Sequence, residues 1–205
     1  MVQVTNQTDA LVEETLTLEG THGALLREYL RHQPATSRRP YVAGVLKAAG
    51  AELLELSLAN LEESQSSLIL TLVYSLRSQF HEAGGELVGK PSACFEHSYL
   101  TTDSAEKRLT PFQVTTPLTL QASVAVRAPE GFRAKASQSP GRKWDQRFVR
   151  GQLDAFTEKS GWRLNYKLHE PAGRFAAGDY ADFCATLNRA SSDLSPEVTF
   201  ERVSP

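Results

Sequence analysis

Two cysteines in 205 residues, Cys94 and Cys184, lie too far apart in sequence for a disulfide framework and belong to no Cys-x-x-Cys pair. The usual zinc spacings are excluded with it. Net charge is almost missing too, because 22 Lys and Arg stand against 24 Asp and Glu and leave −2 at neutral pH. Such a chain has no basic field to gather nucleic acid or an anionic membrane surface. Long apolar runs are absent. A membrane-spanning helix needs about 20 mostly apolar residues, and the densest neighbourhood, Leu68 to Leu76, is broken by Thr71, Tyr74 and Ser75. The N-terminal residues carry neither the basic start nor the apolar run of an export signal, so the chain as written reads as soluble. There is no internal repeat, no low-complexity tract, and no strong catalytic, metal or nucleotide motif.

What remains is a chain with 40 % hydrophobic residues, enough to bury a real core. Val12, Leu16 and Leu18 share one parity of an extended segment ended by Gly20, the pattern of a strand with one buried face. Leu25, Leu26, Tyr29 and Leu30 then recur at helical spacing, and Tyr41, Val42, Val45, Leu46 and Ala49 do so again before Gly50. The second helix is expected to be capped by Thr36 or Ser37, with Pro40 in its first turn and Gly50 at its left-handed stop.

Leu54, Leu56 and Leu58 alternate, and Leu68, Leu70, Leu72, Tyr74 and Leu76 put an apolar face on the clearest strand of the chain. Gly84-Gly85 reads as a turn, and residues Ser92 to Pro111 as a long surface loop. Leu118, Leu120, Ala122, Val124 and Val126 form another strand, turned by Pro129-Glu130-Gly131 into a further one through Phe132. Phe148, Val149, Leu153 and Phe156 fit helical spacing, although Phe148 and Phe156 also share strand parity. Lys159-Ser160-Gly161 is a compact turn before a half-exposed strand with Trp162, Leu164, Tyr166 and Leu168 inward and Arg163, Asn165, Lys167 and His169 outward. Asp179 is expected to cap a final amphipathic helix striped by Tyr180, Phe183, Cys184, Leu187 and Leu194, with a closing strand at Val198 and Phe200.

The fold these patterns predict is α+β: mostly antiparallel, sandwich-like sheets with two N-terminal helices and one C-terminal helix covering sheet surface. Residues 1–205 are expected as one β-rich module, with a possible sub-boundary near 90–115.

Arg108-Leu109-Thr110-Pro111 before a long strand, then Pro129-Glu130-Gly131-Phe132, the hairpin around Gly161, and Gly173-Arg174-Phe175 leading to Asp179-Tyr180 and Phe183 make up an ordered set of short motifs. In this order the chain, from about residue 10 onward, resembles the C-terminal, non-catalytic region of bacterial multidomain proteins. Those proteins carry an N-terminal β-sandwich module and a transglutaminase-like cysteine peptidase core. The resemblance implies a β-rich accessory module packing on, or extending from, an upstream catalytic core that this chain lacks. It also favours a strand over a helix for Phe148 to Phe156, and implies a segment of a longer protein with a periplasmic or envelope location. The family's nucleophilic Cys opens a helix in a Gly-x-Cys setting, and neither cysteine here sits so.

The function expected is therefore a non-enzymatic accessory or interaction module, with an upstream catalytic core or other protein as partner and no cofactor or metal. Candidate binding residues are Arg108, Trp144 and Arg174, and Asp179, Tyr180 and Phe183 are candidate structural residues. Arg174 and Asp179 are expected to pair across the turn before the last helix, and Cys184 to be a small buried hydrophobe. Two rivals belong to other classes. One is a peptide- or glycan-binding module whose groove exposes aromatics drawn from Trp144, Trp162, Tyr166 and Phe175. The other is a thiol enzyme using Cys94 with His97 or His81 as base.

Overall fold

The computed structural model describes residues 8–91, 108–135, 141–158 and 160–203. Over these residues it is α+β and sandwich-like, with three α-helices and antiparallel sheets. The main sheet combines β1 (Ala10–Leu18), β2 (Ala51–Ala59), β3 (Leu68–Leu76), β7 (Leu118–Arg127), β9 (Arg142–Asp145), β10 (Arg150–Glu158) and β11 (Gly161–Glu170). Its order is β2-β3-β1-β7-β11-β10-β9, and every neighbouring pair is antiparallel. A smaller sheet runs β4-β5-β13-β8, from β4 (Phe80–Ala83), β5 (Glu86–Gly89), β8 (Phe132–Ala134) and β13 (Val198–Arg202). β6 (Phe112–Val114) and β12 (Gly173–Phe175) form a separate pair.

Alternation explains why the main sheet has one buried face. Leu16, Leu70, Leu72, Tyr74, Leu120, Val124, Leu164, Tyr166 and Leu168 share that face and are all buried. Among the described residues it is covered by α1 (Gly20–His32) with α2 (Ala35–Ala48), by the smaller sheet, and by α3 (Tyr180–Asp193). Leu26 and Leu30 of α1, Val42 and Leu46 of α2, Phe80 and Phe200 of the smaller sheet, and Phe183 and Leu187 of α3 all enter one contiguous core. Within it the Tyr74 hydroxyl donates to Glu14 Oε2 at 2.9 Å, a polar bond between two fully buried side chains. Trp162 ties the layers by pointing its indole N–H at the carbonyl of Thr199, 3.4 Å away.

Local chemistry sets the connections. Gly84 and Gly85 both take positive φ, at 62° and 86°, as the tight two-residue β4–β5 hairpin demands. Gly131 sits at φ 80° in the turn closed by Phe132 N–H to Pro129 O at 3.1 Å.

Two expectations are corrected. Residues Phe148 to Phe156 do not form a helix: a turn with Gln146 N–H bonded to Val149 O leads into β10, so Phe148 and Val149 face inward from the turn and Leu153 from the strand. Helix α2 begins at Ala35 with no side-chain cap, which puts Pro40 inside the helix rather than in its first turn. In α1 only Leu26 and Leu30 of the four periodic residues are buried. Leu25 is 62 % exposed and Tyr29 rests against Tyr41 with ring centroids 4.6 Å apart.

Glu170, at the end of β11, is 8 % exposed, and burial pushes its carboxyl from 4.5 up to about 7. A folded pKa above the unfolded one means that the unfolded chain ionises first as pH rises, so stability drains away between about 4.5 and 7. Glu170→Gln removes that drain. Relative to the parent it is expected to gain on the order of 1–3 kcal/mol between pH 4 and pH 8. Urea titrations at the two pH values check this, and a variant effect independent of pH would contradict it.

Candidate interaction surface

The second face of the main sheet has no covering layer among the described residues. Register places its side chains in rows running across the strands. One row reads Lys143, Gln152, Lys167, Gln121 and Thr17, from β9 through β10, β11 and β7 to β1. The next reads Asp154, Asn165, Ser123, Thr15 and Thr71. All of these but Thr71 line an open trough of about 860 Å³. Hydroxyls, amides and two ammonium groups rise from it beside a larger share of apolar surface.

Most charges around the trough are engaged locally. Arg163 holds Glu158 through two bonds, at 2.6 and 3.2 Å, and reaches Ser123 Oγ at 3.1 Å. The bonded Arg163 guanidinium lowers the Glu158 pKa. Arg127 pairs with Glu13, and His169 Nδ1 lies 3.0 Å from Thr119 Oγ1. Gln152 Nε2 donates to Asp154 Oδ2 at 2.7 Å. Lys143 and Lys167 differ: both are exposed, and neither has a hydrogen bond or ion pair among the described residues.

The residues singled out by sequence gather elsewhere, at an aromatic corner. Phe112, Phe175, Tyr180 and Phe183 cluster there, and Phe148 meets Phe175 and Phe183 edge-on at 5.2 and 5.5 Å. Arg108 lies 4.8 Å from the Tyr180 ring centre and 5.7 Å from that of Phe112, within cation–π range. Asp179 is paired with Arg147 at 3.0 Å and not with Arg174. Its other carboxylate oxygen accepts from Ala176 N–H at 3.1 Å, closing the 3-10 turn (Ala177–Asp179) ahead of α3 instead of capping α3 through its side chain. Arg174 is exposed on β12, opposite Gln113.

Trp144 is buried, with its indole N–H bonded to Asp193 Oδ2 at 3.0 Å, and Arg142 pairs with Asp193 from the same strand. With Trp162 and Tyr166 also buried, none of these three aromatics offers an exposed ring. The aromatic exposed on the open face is Phe156. Cys94 and His97 lie outside the described residues, while His81 is exposed on β4 and Cys184 is buried in α3. Among the described residues no three His, Cys, Asp or Glu side chains form a metal-holding group, and no helix is long and apolar enough to cross a membrane.

Sequence reasoning missed the row of Lys143, Gln152, Lys167 and Gln121 as a unit. Its signal was the outward parity of Lys167 and Gln121 on their strands, but the row exists only once four separate segments are in register. No protein-family model, curated protein or solved structure matches this chain.

Proposed function

We propose that this chain is a non-enzymatic accessory module of a larger, transglutaminase-like bacterial protein and works by presenting the open face of its main sheet to a partner. The observation that carries this reading is the contrast between the two faces. One is buried beneath helices and a second sheet, whereas the other presents ordered polar rows with two uncommitted ammonium groups. The ordered motifs from Arg108 to Phe183 support the choice of parent and of its catalytic core as the first partner to test.

Thr15 lies exposed on β1, an interior strand of the main sheet, and lines the trough. Thr15→Arg adds bulk and charge there without touching the buried face, so its melting temperature should stay close to that of the parent, as for other surface substitutions. Association with the transglutaminase-like core, measured by titrating purified core against the labelled chain, should weaken by roughly tenfold or more, the cost of a misfitted charge at an interface. Unchanged affinity in the folded variant would remove the open face from the interaction.

A further inference from the structure

We propose that the row formed by Lys143, Gln152, Lys167 and Gln121 binds an acidic, proline-rich protein segment in the polyproline II conformation. The proposal rests on the reading of the open face as an interaction surface and names the chemistry of its partner.

Spacing carries it first. The four residues stand on adjacent strands in continuous register, so cations and amides alternate across the sheet. Strands lie about 4.8 Å apart, which separates Lys143 from Lys167, and Gln152 from Gln121, by about 9.6 Å at the backbone. A polyproline II helix repeats every three residues with a rise of about 3.1 Å each, or about 9.3 Å per turn. An acidic residue at every third position therefore meets successive lysines. An extended β peptide repeats on one side at about 6.8 Å and falls out of step.

Hydrogen bonding is the second match. Polyproline II has no internal hydrogen bonds, and its backbone carbonyls stay free to accept. Gln121 beside the lysines, and the one N–H of the Gln152 amide that is not bonded to Asp154, supply donors for them. The strands carrying Gln152, Lys167 and Gln121 are paired on both sides, so a guest gains no backbone ladder there and must be read by side chains.

Charge is the third. Within the trough, Lys143 and Lys167 oppose the single carboxylate of Asp154, which already accepts from Gln152. In the flanking row Arg150 and His169 stand beside Asp145. A docked amphipathic helix would need an apolar groove, and these two rows do not provide one.

The test uses fluorescence anisotropy with a labelled peptide of repeated Glu-Pro-Pro and the chain as it stands. Repeated Gln-Pro-Pro removes the charge, repeated Glu-Gly-Gly removes the preformed helix, and polygalacturonate supplies carboxylates on a glycan. Glu-Pro-Pro is expected to bind, with each of the other two peptides weaker by roughly tenfold. Lys143→Gln with Lys167→Gln is expected to lose binding by a similar factor while melting at the parent temperature. Equal binding of Glu-Gly-Gly, or no effect of the lysine variants, would overturn the proposal. Binding of polygalacturonate without Glu-Pro-Pro would overturn it in favour of an acidic glycan. If no probe binds while Thr15→Arg still disrupts association with the core, the acidic proline-rich partner is wrong and the open face remains an interface.

Discussion

Phe200→Ala is expected to destabilise the chain by about 3–5 kcal/mol, the range for emptying a large aromatic site in a closed core. Phe200 is fully buried on β13, the strand that joins β5 on one side to β8 on the other. Its ring meets Phe80 of β4 edge-on with centroids 5.3 Å apart, so the contact extends across the smaller sheet to its edge strand. The neighbouring Thr199 carbonyl accepts from Trp162 of the main sheet. A cavity at Phe200 therefore loosens the smaller sheet and its seating on β11 together. Urea unfolding measures the loss. Phe200→Leu, which keeps most of the volume, should recover more than half of it. A cost below about 1 kcal/mol for the alanine variant would mean that the smaller sheet is not packed as described.

Gly161→Ala should cost about 3 kcal/mol or more for the addition of one methyl group, because two penalties coincide. Gly161 takes φ 151°, a conformation that L side chains rarely adopt. A Cβ built there runs into the carbonyl oxygen of Val126 and comes within 3.0 Å of the Ala128 nitrogen and the Arg127 Cα. Those atoms are β7 backbone and the start of the turn after it, so relief requires the β7–β11 pairing to give way at Gly161 and Arg127. Gly131 is the matched control. Its φ of 80° also disfavours a side chain, but a Cβ there meets nothing within 4 Å, so Gly131→Ala should cost only about 1–2 kcal/mol. Equal costs at the two positions would show that backbone conformation alone decides, and that the close approach of β11 to β7 carries no weight.

The two glycines also mark what the residues alone could say. Gly161 and Gly131 were legible as turns, and the long strands β1, β3, β7 and β11 were legible because each presents one apolar parity to a deep core. Leu68 to Leu76 and Leu118 to Val126 lie on the buried face as their alternation demands. β10 was not legible from periodicity. Phe148 and Val149 belong to the preceding turn, Leu153 to the covered face and Phe156 to the open face, so four apolar residues from three surroundings imitate one helical stripe. β6, β9 and β12 span three or four residues, too few to show a period. On β2 the alternation of Leu54, Leu56 and Leu58 was legible, but not the bulge between Leu53 and Glu55, which shifts the parity so that Leu53 before it and Leu56 and Leu58 after it all meet the core.

The aromatic corner was half legible. Tyr180 and Phe183 were placed correctly on the last helix, yet the partner of Asp179 is Arg147, a residue of the β9–β10 turn that sequence proximity could not suggest. Trp144 shows the same limit, since its hydrogen bond to Asp193 spans 49 positions. The open face was least legible of all. Its rows are made by pairing between distant segments, and polar residues at outward parity look alike whether they face bulk water or a partner.

Site-specific photo-crosslinking in the organism that encodes the chain tests the role of that face most directly. A benzoylphenylalanine replaces Gln121, exposed within the trough, or Lys47, exposed on α2 on the covered side. Position 121 is expected to crosslink to a transglutaminase-like core, within the same polypeptide or in another, and position 47 is not. Crosslinks to that core from position 47 with none from 121 would contradict an open face that works by contact.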